Sequence, residues 1–250
     1  MDIAGAVVIV TGASGGIGRA AAVALAQRGS RLVLSGRSVG RLDSVAAATG
    51  GLPIRGDLTA PGALPRLMQV AESEVGPVDA VVHGAGSGRS AALGEHSAAE
   101  TRELLDLNLR VPIELTRLAL PGMIRRHRGS MVFVGSIAGL VGVRDESVYA
   151  AAKGGLAAFA DSLTDELRGS RVHVALVAPG AVATDFFIRS GRVYERSVPA
   201  AIPPEKVASA VIEAVAGGRR RVVLPRWLNL AVRLHDAAPS VYRSLSGRFG

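Results

Sequence analysis

The sequence contains no cysteine, which excludes disulfide bonds, thiolate nucleophiles and thiolate metal sites, and we expect no bound metal. Aromatic residues make up only 4% of the chain, so stacking surfaces for nucleic acid are missing and we expect no nucleic-acid partner. Every apolar run is shorter than the roughly eighteen residues that a membrane-spanning helix needs. The first apolar run lacks a basic leader and enters a glycine-rich turn. It therefore predicts a β-strand and a cytoplasmic protein rather than a signal peptide.

Lysine is also scarce: Lys153 and Lys206 are the only two, and arginine supplies the rest of the 29 basic residues. With 21 acidic residues, the formal net charge is +8. We expect most of these arginines on solvated faces of the protein. A basic surface also suits an anionic partner, such as an acyl carrier protein, coenzyme A or a membrane surface, and that alternative stays open.

Apolar runs rich in valine, isoleucine and leucine alternate with segments of helical periodicity. Because the runs do not alternate apolar with polar residues, they predict strands buried on both faces of a parallel sheet. Strands separated by helices predict a doubly wound, seven-stranded α/β sheet, a Rossmann fold, in a single domain over residues 1–224. The predicted strands are Ala6–Val10, Arg31–Ser35, Leu52–Arg55, Val78–His83, Ser130–Ser136, Val172–Ala178 and Arg221–Leu224. The predicted helices are Gly16–Arg28, Val39–Thr49, Pro61–Glu74, Ala98–Arg126, Val148–Arg168 and Pro204–Ala216.

A glycine-rich turn joins the first strand to the first helix, with the sequence Thr-Gly-Ala-Ser-Gly-Gly-Ile-Gly over residues 11–18. Gly12 permits the tight turn, while Gly16 and Gly18 let the backbone approach a pyrophosphate and let the helix pack on the sheet. The helix N-terminus then offers free N–H groups and a positive dipole end. In this strand–turn–helix context the pattern predicts a dinucleotide site. A turn that needs glycine only for packing is the alternative.

The end of the second strand indicates which dinucleotide is bound. An NAD site usually places an acid there to hold the ribose 2′-hydroxyl, but this chain has Gly36 followed by Arg37. A guanidinium suits a 2′-phosphate, and Ser14 lies in the adjacent turn as a second donor. We therefore expect NADP(H), with Arg37 as an ordinary surface arginine the alternative.

Tyr149 and Lys153 stand four residues apart in a predicted helix, so their side chains share one face. Such a pair is rare by chance in a chain with three tyrosines and two lysines. A nearby ammonium favours tyrosinate and would lower the tyrosine pKa toward the range of an acid–base catalyst. Ser136 ends the predicted fifth strand, at the sheet edge where ligands bind in such folds. The alternative is a packed tyrosine beside a solvated lysine.

Together these motifs resemble the short-chain dehydrogenase/reductase family, over nearly the whole chain up to about residue 224. The turn at 11–18 matches the family's TGxxxGxG, and Tyr149 with Lys153 matches its YxxxK, with Ser136 thirteen residues before the tyrosine. The other matching segments are Asn108 within Asp106–Leu109, Asp57-Leu58 after the third strand, Ala85-Gly86 after the fourth, and Pro179-Gly180 followed by Val182 and Thr184. Their common order and spacing make the resemblance specific.

The resemblance implies an enzyme that moves a hydride between NADP(H) and a ketone or secondary alcohol. Tyr149 would act as general acid in reduction and as base in oxidation, and Ser136 would bind the substrate oxygen. Lys153 would hold the nicotinamide ribose and lower the Tyr149 pKa, and Asn108 would position a water on the proton path. The implied cofactor-binding residues are Gly12, Ser14, Gly16, Ile17, Gly18, Arg37, Asp57, Leu58, Ala85, Gly86, Tyr149, Lys153, Pro179, Gly180, Val182 and Thr184.

One segment departs from the family pattern. Where the family usually has Asn-Asn-Ala-Gly after the fourth strand, this chain has His83 and Gly84 before the Ala-Gly pair. We expect His83 to replace the structural asparagine through a ring nitrogen rather than to take part in catalysis.

Three functions stay open on the sequence. One is reduction of a small or lipid-like ketone, in a pocket formed by the segments Leu140–Val148 and Asp185–Ala201. The second is reduction of a 3-oxoacyl-carrier-protein, which predicts a localized arginine patch beside the cleft. The third is non-catalytic NADP(H)-dependent regulation, which predicts loss of a catalytic residue. The resemblance also implies a homodimer or homotetramer paired through the helices Ala98–Arg126 and Val148–Arg168.

The segment 225–250 extends beyond the resemblance. Apolar residues including Trp227 recur in it with helical spacing, and arginines lie between them at 226, 233, 243 and 248. An amphipathic, cationic helix is typical of three arrangements: cover over the protein's own pocket or a partner subunit, peripheral contact with an anionic membrane, and a disordered tail.

Overall fold

The computed structural model describes residues 1–191, 194 and 199–246, with only the backbone described at 245–246. The strands are β1 Val7–Thr11, β2 Arg31–Gly36, β3 Leu52–Arg55, β4 Ala80–His83, β5 Gly129–Val134, β6 Val172–Pro179 and β7 Arg221–Leu224. The helices are α1 Gly16–Ala26, α2 Val39–Thr49, α3 Ala63–Glu74, α4 Ala98–Leu105, α5 Val111–Arg125, α6 Ala138–Val141, α7 Ser147–Glu166, α8 Phe186–Arg189, α9 Pro204–Val215, α10 Leu228–Ala237 and α11 Pro239–Ser246.

The strands form one parallel sheet in the order β3-β2-β1-β4-β5-β6-β7. The prediction of a seven-stranded, doubly wound sheet is therefore confirmed. The strand order reverses between β1 and β4, where Thr11 pairs with His83 at the carboxyl ends of the two strands. Crossovers leave this point toward opposite edges of the sheet, which opens a crevice between the loops that follow β1 and β4.

The two faces of the sheet each carry a hydrophobic core. Val7 and Ile9 of β1 belong to a cluster with α3, α5 and α7, while Val8 and Val10 belong to a second cluster with α1 and α9. Successive side chains of a strand point to opposite faces, so a strand covered on both sides needs apolar residues at every position. This requirement explains the unbroken apolar run of β1.

The predicted long helix Ala98–Arg126 is wrong as a single regular helix. A π-helical turn at Asp106–Arg110 separates α4 from α5. Such a turn adds one residue to one helical turn, while α4 before it and α5 after it each keep the spacing of a regular helix. The fifth strand ends at Val134 rather than at Ser136, which lies in the loop beyond it. The other predicted ends of the strands and helices coincide with the structure or differ from it by one or two residues.

The C-terminal segment forms two helices rather than the single helix that we expected. α10 ends at Ala237 and α11 begins at Pro239, because proline lacks the N–H that a continuing helix requires. The segment Asp185–Ala201, predicted to form part of the pocket, contains the short helix α8. Residues 192–193, 195–198 and 247–250 of the predicted loop and tail lie outside the described residues. No helix among the described residues is long and apolar enough to span a membrane.

Candidate active site

A cleft of about 510 Å³ lies at the carboxyl ends of the strands, beside the point where the strand order reverses. It brings together all the candidate residues from the sequence, although they come from loops far apart in the chain. The predicted residues that line it are Gly12, Ser14, Gly16, Ile17, Gly18, Arg37, Asp57, Leu58, Ala85, Gly86, Asn108, Ser136, Tyr149, Lys153, Pro179, Gly180, Val182 and Thr184. The sequence therefore identified residues that share one cavity, and their individual roles stay predictions.

The glycine turn is packed so closely that side chains do not fit. A Cβ atom on Gly16 would collide with the side chain of Thr184, and one on Gly18 would collide with the carbonyl of Gly12. Gly12 itself has a φ of +69° and lies against the backbone of Ala85. No side chain caps the N-terminus of α1, which lines the cleft. The turn forms a cradle of bare backbone with a positive helix end, which fits a dinucleotide pyrophosphate.

The end of β2 carries Gly36 instead of an acid, and a side chain there would have to displace the Ser14 hydroxyl. A Cβ atom on Gly36 would lie 2.7 Å from the Ser14 hydroxyl oxygen and 3.3 Å from a methyl carbon of Leu42. The next residue, Arg37, lines the cleft, and its side chain is 56% exposed. The Arg37 guanidinium lies 3.6 Å from the Glu103 carboxylate. Because this surface ion pair is weak, an anion in the cleft can replace Glu103 as the partner of Arg37.

Tyr149 and Lys153 lie on the cleft side of α7 and are both buried. The Lys153 ammonium donates a hydrogen bond to the Val134 carbonyl at 2.9 Å and lies 5.8 Å from the centre of the Tyr149 ring. Burial lowers the pKa of Lys153 to about 8, because the charged form loses hydration. The ammonium is therefore held at the bottom of the cleft by a strand carbonyl.

The expected lowering of the Tyr149 pKa is wrong for this state of the cleft. Burial raises the pKa of Tyr149 above its usual range, and a hydrogen bond with Ser136 opposes that rise only in part. The Tyr149 ring is covered by Phe186 of α8, with ring centres 5.6 Å apart. Phe186 also packs against Gly88, where an added Cβ atom would lie 2.6 Å from the Phe186 ring. Burial of the Tyr149 phenol away from water, rather than the nearby Lys153 ammonium, thus determines its protonation.

Asn108 lies in the π-helical turn and is completely buried. Its amide nitrogen donates to the carbonyls of Ser87 and Leu104, both at 2.9 Å. Its amide oxygen has no hydrogen-bond partner among the described residues. A Cβ atom on Gly86 would lie 2.7 Å from that oxygen and 3.6 Å from the Lys153 ammonium, so both polar groups border the same small space. A buried acceptor without a partner in a polar site indicates a place for water.

His83 lies behind the cleft rather than in its lining. Its Nε2 lies 3.2 Å from the Thr116 hydroxyl, and its ring stacks on Phe133 with centres 4.6 Å apart and planes 8° apart. Burial, helped by the positive charge of Lys153, lowers the pKa of His83 to about 3. The ring is therefore neutral, and these contacts agree with the predicted structural role.

Some lining residues had no specific assignment from the sequence. Phe186 and Phe187 were noticed only as part of a loop, and Leu228 only as part of the tail, yet all three line the cleft. The paired phenylalanines after Thr184 are a usable signal, because adjacent exposed aromatics in a loop are uncommon unless they cover something. Arg41 also lines the cleft, but the sequence carries no signal for it, since its position depends on how α2 packs.

A parallel Rossmann sheet with a glycine cradle and a buried Tyr–Lys pair in one cleft defines the class of dinucleotide-dependent enzymes. The family model described as short chain dehydrogenase matches residues 6–193. The chain therefore belongs to the short-chain dehydrogenase family. Membership makes it an oxidoreductase.

Two curated relatives are bacterial reductases. The "Ketoacyl reductase HetN" of Nostoc sp. is 34% identical over 227 residues, covering 89% of this chain and 79% of that protein. The "3-oxoacyl-[acyl-carrier-protein] reductase FabG" of Escherichia coli is 32% identical over 187 residues, covering 74% of this chain and 77% of that protein.

Two solved structures share the architecture. A short-chain dehydrogenase from Sphingobium yanoikuyae in complex with NADPH has 26% identity and a TM-score of 0.81, covering 97% of this chain and 95% of that one. A short chain dehydrogenase/reductase from Burkholderia phymatum in complex with NAD has 23% identity and a TM-score of 0.87, covering 96% of each chain, and shows the fold alone. A nicotinamide cofactor is thus supported for this chain.

Proposed function

We propose that this protein is an NADPH-preferring oxidoreductase that interconverts a ketone and a secondary alcohol, with Tyr149 as the general acid and base. The observation that carries the proposal is the meeting of Ser136, Tyr149 and Lys153 with the glycine cradle in one cleft. A non-catalytic NADP(H)-binding protein would have no need to keep all three polar groups beside the cofactor cradle.

The bound nicotinamide supplies or accepts the hydride, and the protein's own groups handle the proton. In reduction, the Tyr149 hydroxyl donates its proton to the oxygen of the substrate carbonyl. Burial raises the pKa of Tyr149, so the phenol carries the proton that reduction requires, while the nearby charge of Lys153 favours the tyrosinate formed when the substrate takes it. The Ser136 hydroxyl donates a hydrogen bond to the same oxygen as negative charge develops there.

Lys153 and Asn108 complete the proposed proton path. The Lys153 ammonium would hold the ribose hydroxyls of a bound cofactor, and its charge favours the tyrosinate that remains after proton donation. The unpartnered amide oxygen of Asn108 would accept a hydrogen bond from a water near Lys153, through which a proton returns to Tyr149. The cofactor pyrophosphate would lie against the bare backbone at the N-terminus of α1, where the missing Cβ of Gly16 lets the Thr184 side chain pack directly on the helix.

Replacement of Tyr149 by phenylalanine tests the reaction. Tyr149→Phe keeps the ring but removes the proton donor, so turnover of a verified ketone should fall by at least about a hundredfold. NADPH binding, followed by fluorescence titration, should persist. Tyr242→Phe is a matched control, since Tyr242 lies in α11 and does not line the cleft. Retained turnover in Tyr149→Phe would refute the assignment.

The preference for NADPH rests on Arg37 and on the absence of an acid at Gly36. Arg37→Asp should weaken NADPH binding about ten- to a hundredfold, the scale of a charge-assisted hydrogen bond, and should favour NADH. Arg66→Asp, on the exposed face of α3, makes the same change of charge away from the cleft. If the unchanged protein binds NADH as tightly as NADPH, the preference is wrong.

Reduction of a 3-oxoacyl-carrier-protein is the second candidate, favoured by the named activities of the two bacterial relatives. An acidic carrier protein needs cationic groups around the cleft, but the arginines that line it lie beside carboxylates. Arg37 pairs with Glu103, and Asp185 lies 3.4 Å from Arg41 and 3.6 Å from Arg189. This pairing reduces the positive charge there and favours a free ketone. Parallel assays with a free ketone and its carrier-bound thioester separate the two substrates.

Assembly into a homodimer or homotetramer is also part of the proposal. The pairing helices would be the segment from α4 to α5 together with α7, where Leu105 and Ile124 expose apolar surface. Light scattering across a range of protein concentrations measures the oligomeric state. The cytoplasmic location and the domain boundary at residue 224 stay predictions from the sequence.

A further inference from the structure

The C-terminal helix α10 borders the cleft through Leu228, and α11 packs against α10. Residues 226–246 are called the C-terminal hairpin from here on. Leu228, at the start of α10, is buried and lines the cleft. A Cβ atom on Gly180 would lie 2.8 Å from a Leu228 methyl carbon, so the hairpin packs on the loop after β6. The helices also contact each other, and the rings of His235 and Tyr242 meet edge to face with centres 5.2 Å apart. The inner side of the hairpin thus has a partner within the chain.

The outer side of the hairpin exposes large apolar side chains. Leu230 is 68% exposed and Trp227 is 49% exposed, and their spacing of three places them on one side of the helical turn. Val241 of α11 is 49% exposed. Arg226 and Arg233 are exposed at either end of this apolar surface. Neither arginine forms an ion pair with another described residue.

A second helix that borders the cleft also exposes an apolar side chain. Phe186 and Phe187 of α8 line the cleft, and the next residue, Ile188, is 71% exposed. Exposed aliphatic side chains therefore occur on both α8 and α10, each of which contributes residues to the cleft lining.

We propose that the C-terminal hairpin docks this protein on an anionic lipid surface, with Trp227 and Leu230 inserted among the lipids and the cleft beside the bilayer. Charge favours lipid over a second copy of the chain. A two-fold contact through this face would bring Arg226 and Arg233 of both copies together, whereas an anionic headgroup layer satisfies them. Asp236 is the only acid in the hairpin, and it lies 3.3 Å from the His235 ring.

The chemistry of the face matches an interfacial anchor. Tryptophan has an apolar ring with one N–H donor and is favoured at the boundary between headgroups and acyl chains. Each arginine near an anionic surface strengthens binding by about fivefold, and salt weakens that attraction. Docking does not depend on the proposed reaction, but it would supply the cleft with lipid-soluble ketones.

Trp227 is the only tryptophan of the chain, so its fluorescence reports insertion at this one position. The full-length protein is mixed with vesicles of phosphatidylcholine alone or with added phosphatidylglycerol, at low and high salt. Co-sedimentation measures binding, and the Trp227 emission measures insertion. We expect binding to the anionic vesicles at low salt with a shift of emission to shorter wavelength, and loss of binding at high salt.

Point variants connect the binding to the hairpin. Arg226→Gln with Arg233→Gln should weaken binding to anionic vesicles at least about tenfold, since two charges are removed. Arg66→Gln with Arg168→Gln removes two exposed arginines that do not line the cleft, one on α3 and one after α7, and should leave binding unchanged. Leu230→Ser should also weaken binding, while circular dichroism and turnover of a water-soluble ketone stay as in the parent protein.

Three results would overturn the proposal. The first is no sedimentation with anionic vesicles at low salt. The second is sedimentation without any change in Trp227 emission, which would place the contact on another surface. The third is a concentration-dependent dimer in light scattering that Leu230→Ser abolishes, which would show that a second copy covers the hairpin. None of these measurements requires turnover, so they stand apart from a failure of the proposed reaction.

Discussion

Acidification from pH 7 to pH 5 should destabilise this protein through His83. Its ring is completely buried and its pKa is lowered to about 3, whereas in the unfolded chain it has the usual value of 6.5. The unfolded chain therefore binds a proton as the pH falls below 6.5, and the folded protein does not. Stability from the neutral ring is complete above pH 6.5 and is lost as the pH falls from there toward 3.

The size of the effect follows from the gap between the two pKa values. At pH 5 the unfolded imidazole is about 1.5 pH units below its pKa, and each unit is worth about 1.36 kcal/mol, so His83 alone removes about 2 kcal/mol. Lys153 adds little in this window, because its lowered pKa of about 8 leaves it protonated in both states. A loss of about 2 kcal/mol is a large share of the stability of an ordinary domain.

The assay is urea unfolding at pH 7 and pH 5 of the parent protein and of His83→Gln. Glutamine reaches toward the Thr116 hydroxyl as Nε2 does but binds no proton in this range. The fall in unfolding free energy between the two pH values should be about 2 kcal/mol smaller in the variant than in the parent. This double difference removes the contribution of the other histidines. Equal falls in both proteins would refute a neutral, buried His83.

Two further substitutions test the packing of the cleft. Gly16→Ala should cost about 1–3 kcal/mol in chemical unfolding because its methyl group collides with Thr184. Thr184→Ser in the same chain should restore part of that loss, since serine lacks the colliding methyl carbon but keeps its Cβ atom 2.7 Å from the added group, and no rescue at all would show that this collision is not the cause. Asn108→Ala should cost about 1–3 kcal/mol in the same assay, since the buried carbonyls of Ser87 and Leu104 lose their donor, and an unchanged unfolding curve would show that water replaces the amide.

The architecture was predictable because burial on both faces leaves a direct trace in the sequence. β1 is apolar at each position from Val7 to Val10, and that pattern is specific to a strand covered by helices on both sides. The cleft was predictable for a related reason. In a parallel sheet the loops after successive strands meet at one edge, so Gly12, Ser136 and Thr184 converge although they lie far apart in the chain.

The interrupted helix was not predictable from periodicity. The π-helical turn at Asp106–Arg110 changes which carbonyl each N–H meets, but Leu104, Leu107 and Leu115 still reach the core on one side. The break in the tail did carry a signal, since Pro239 cannot continue a helix that has begun before it. The apolar spacing continues across that proline, and a prediction based on spacing alone therefore describes one helix where the structure has two.

The Tyr149 pKa was mispredicted because its cause lies outside the motif. A spacing of four residues shows that Lys153 is near, but it does not show that Phe186, from a later loop, covers the phenol. Desolvation by such a cover acts on Tyr149 and Lys153 in opposite senses, raising the first pKa and lowering the second. A motif thus specifies which groups meet, while the surrounding loops determine their protonation.

Under the proposed function, the substrate lies beside α8, since Tyr149 and Phe186 both line the cleft and their rings are in contact. Polar contacts hold both ends of α8. The Ser190 carbonyl after its last residue accepts a hydrogen bond from the Ser90 N–H at 2.9 Å, and Asp185 before its first residue forms an exposed, weak ion pair with Arg41. The ring contacts of Phe186 with Tyr149 are apolar, and an apolar substrate makes similar contacts with both rings. A small polar ketone offers no such contacts, so we expect the cleft to favour substrates with an apolar body next to the carbonyl group.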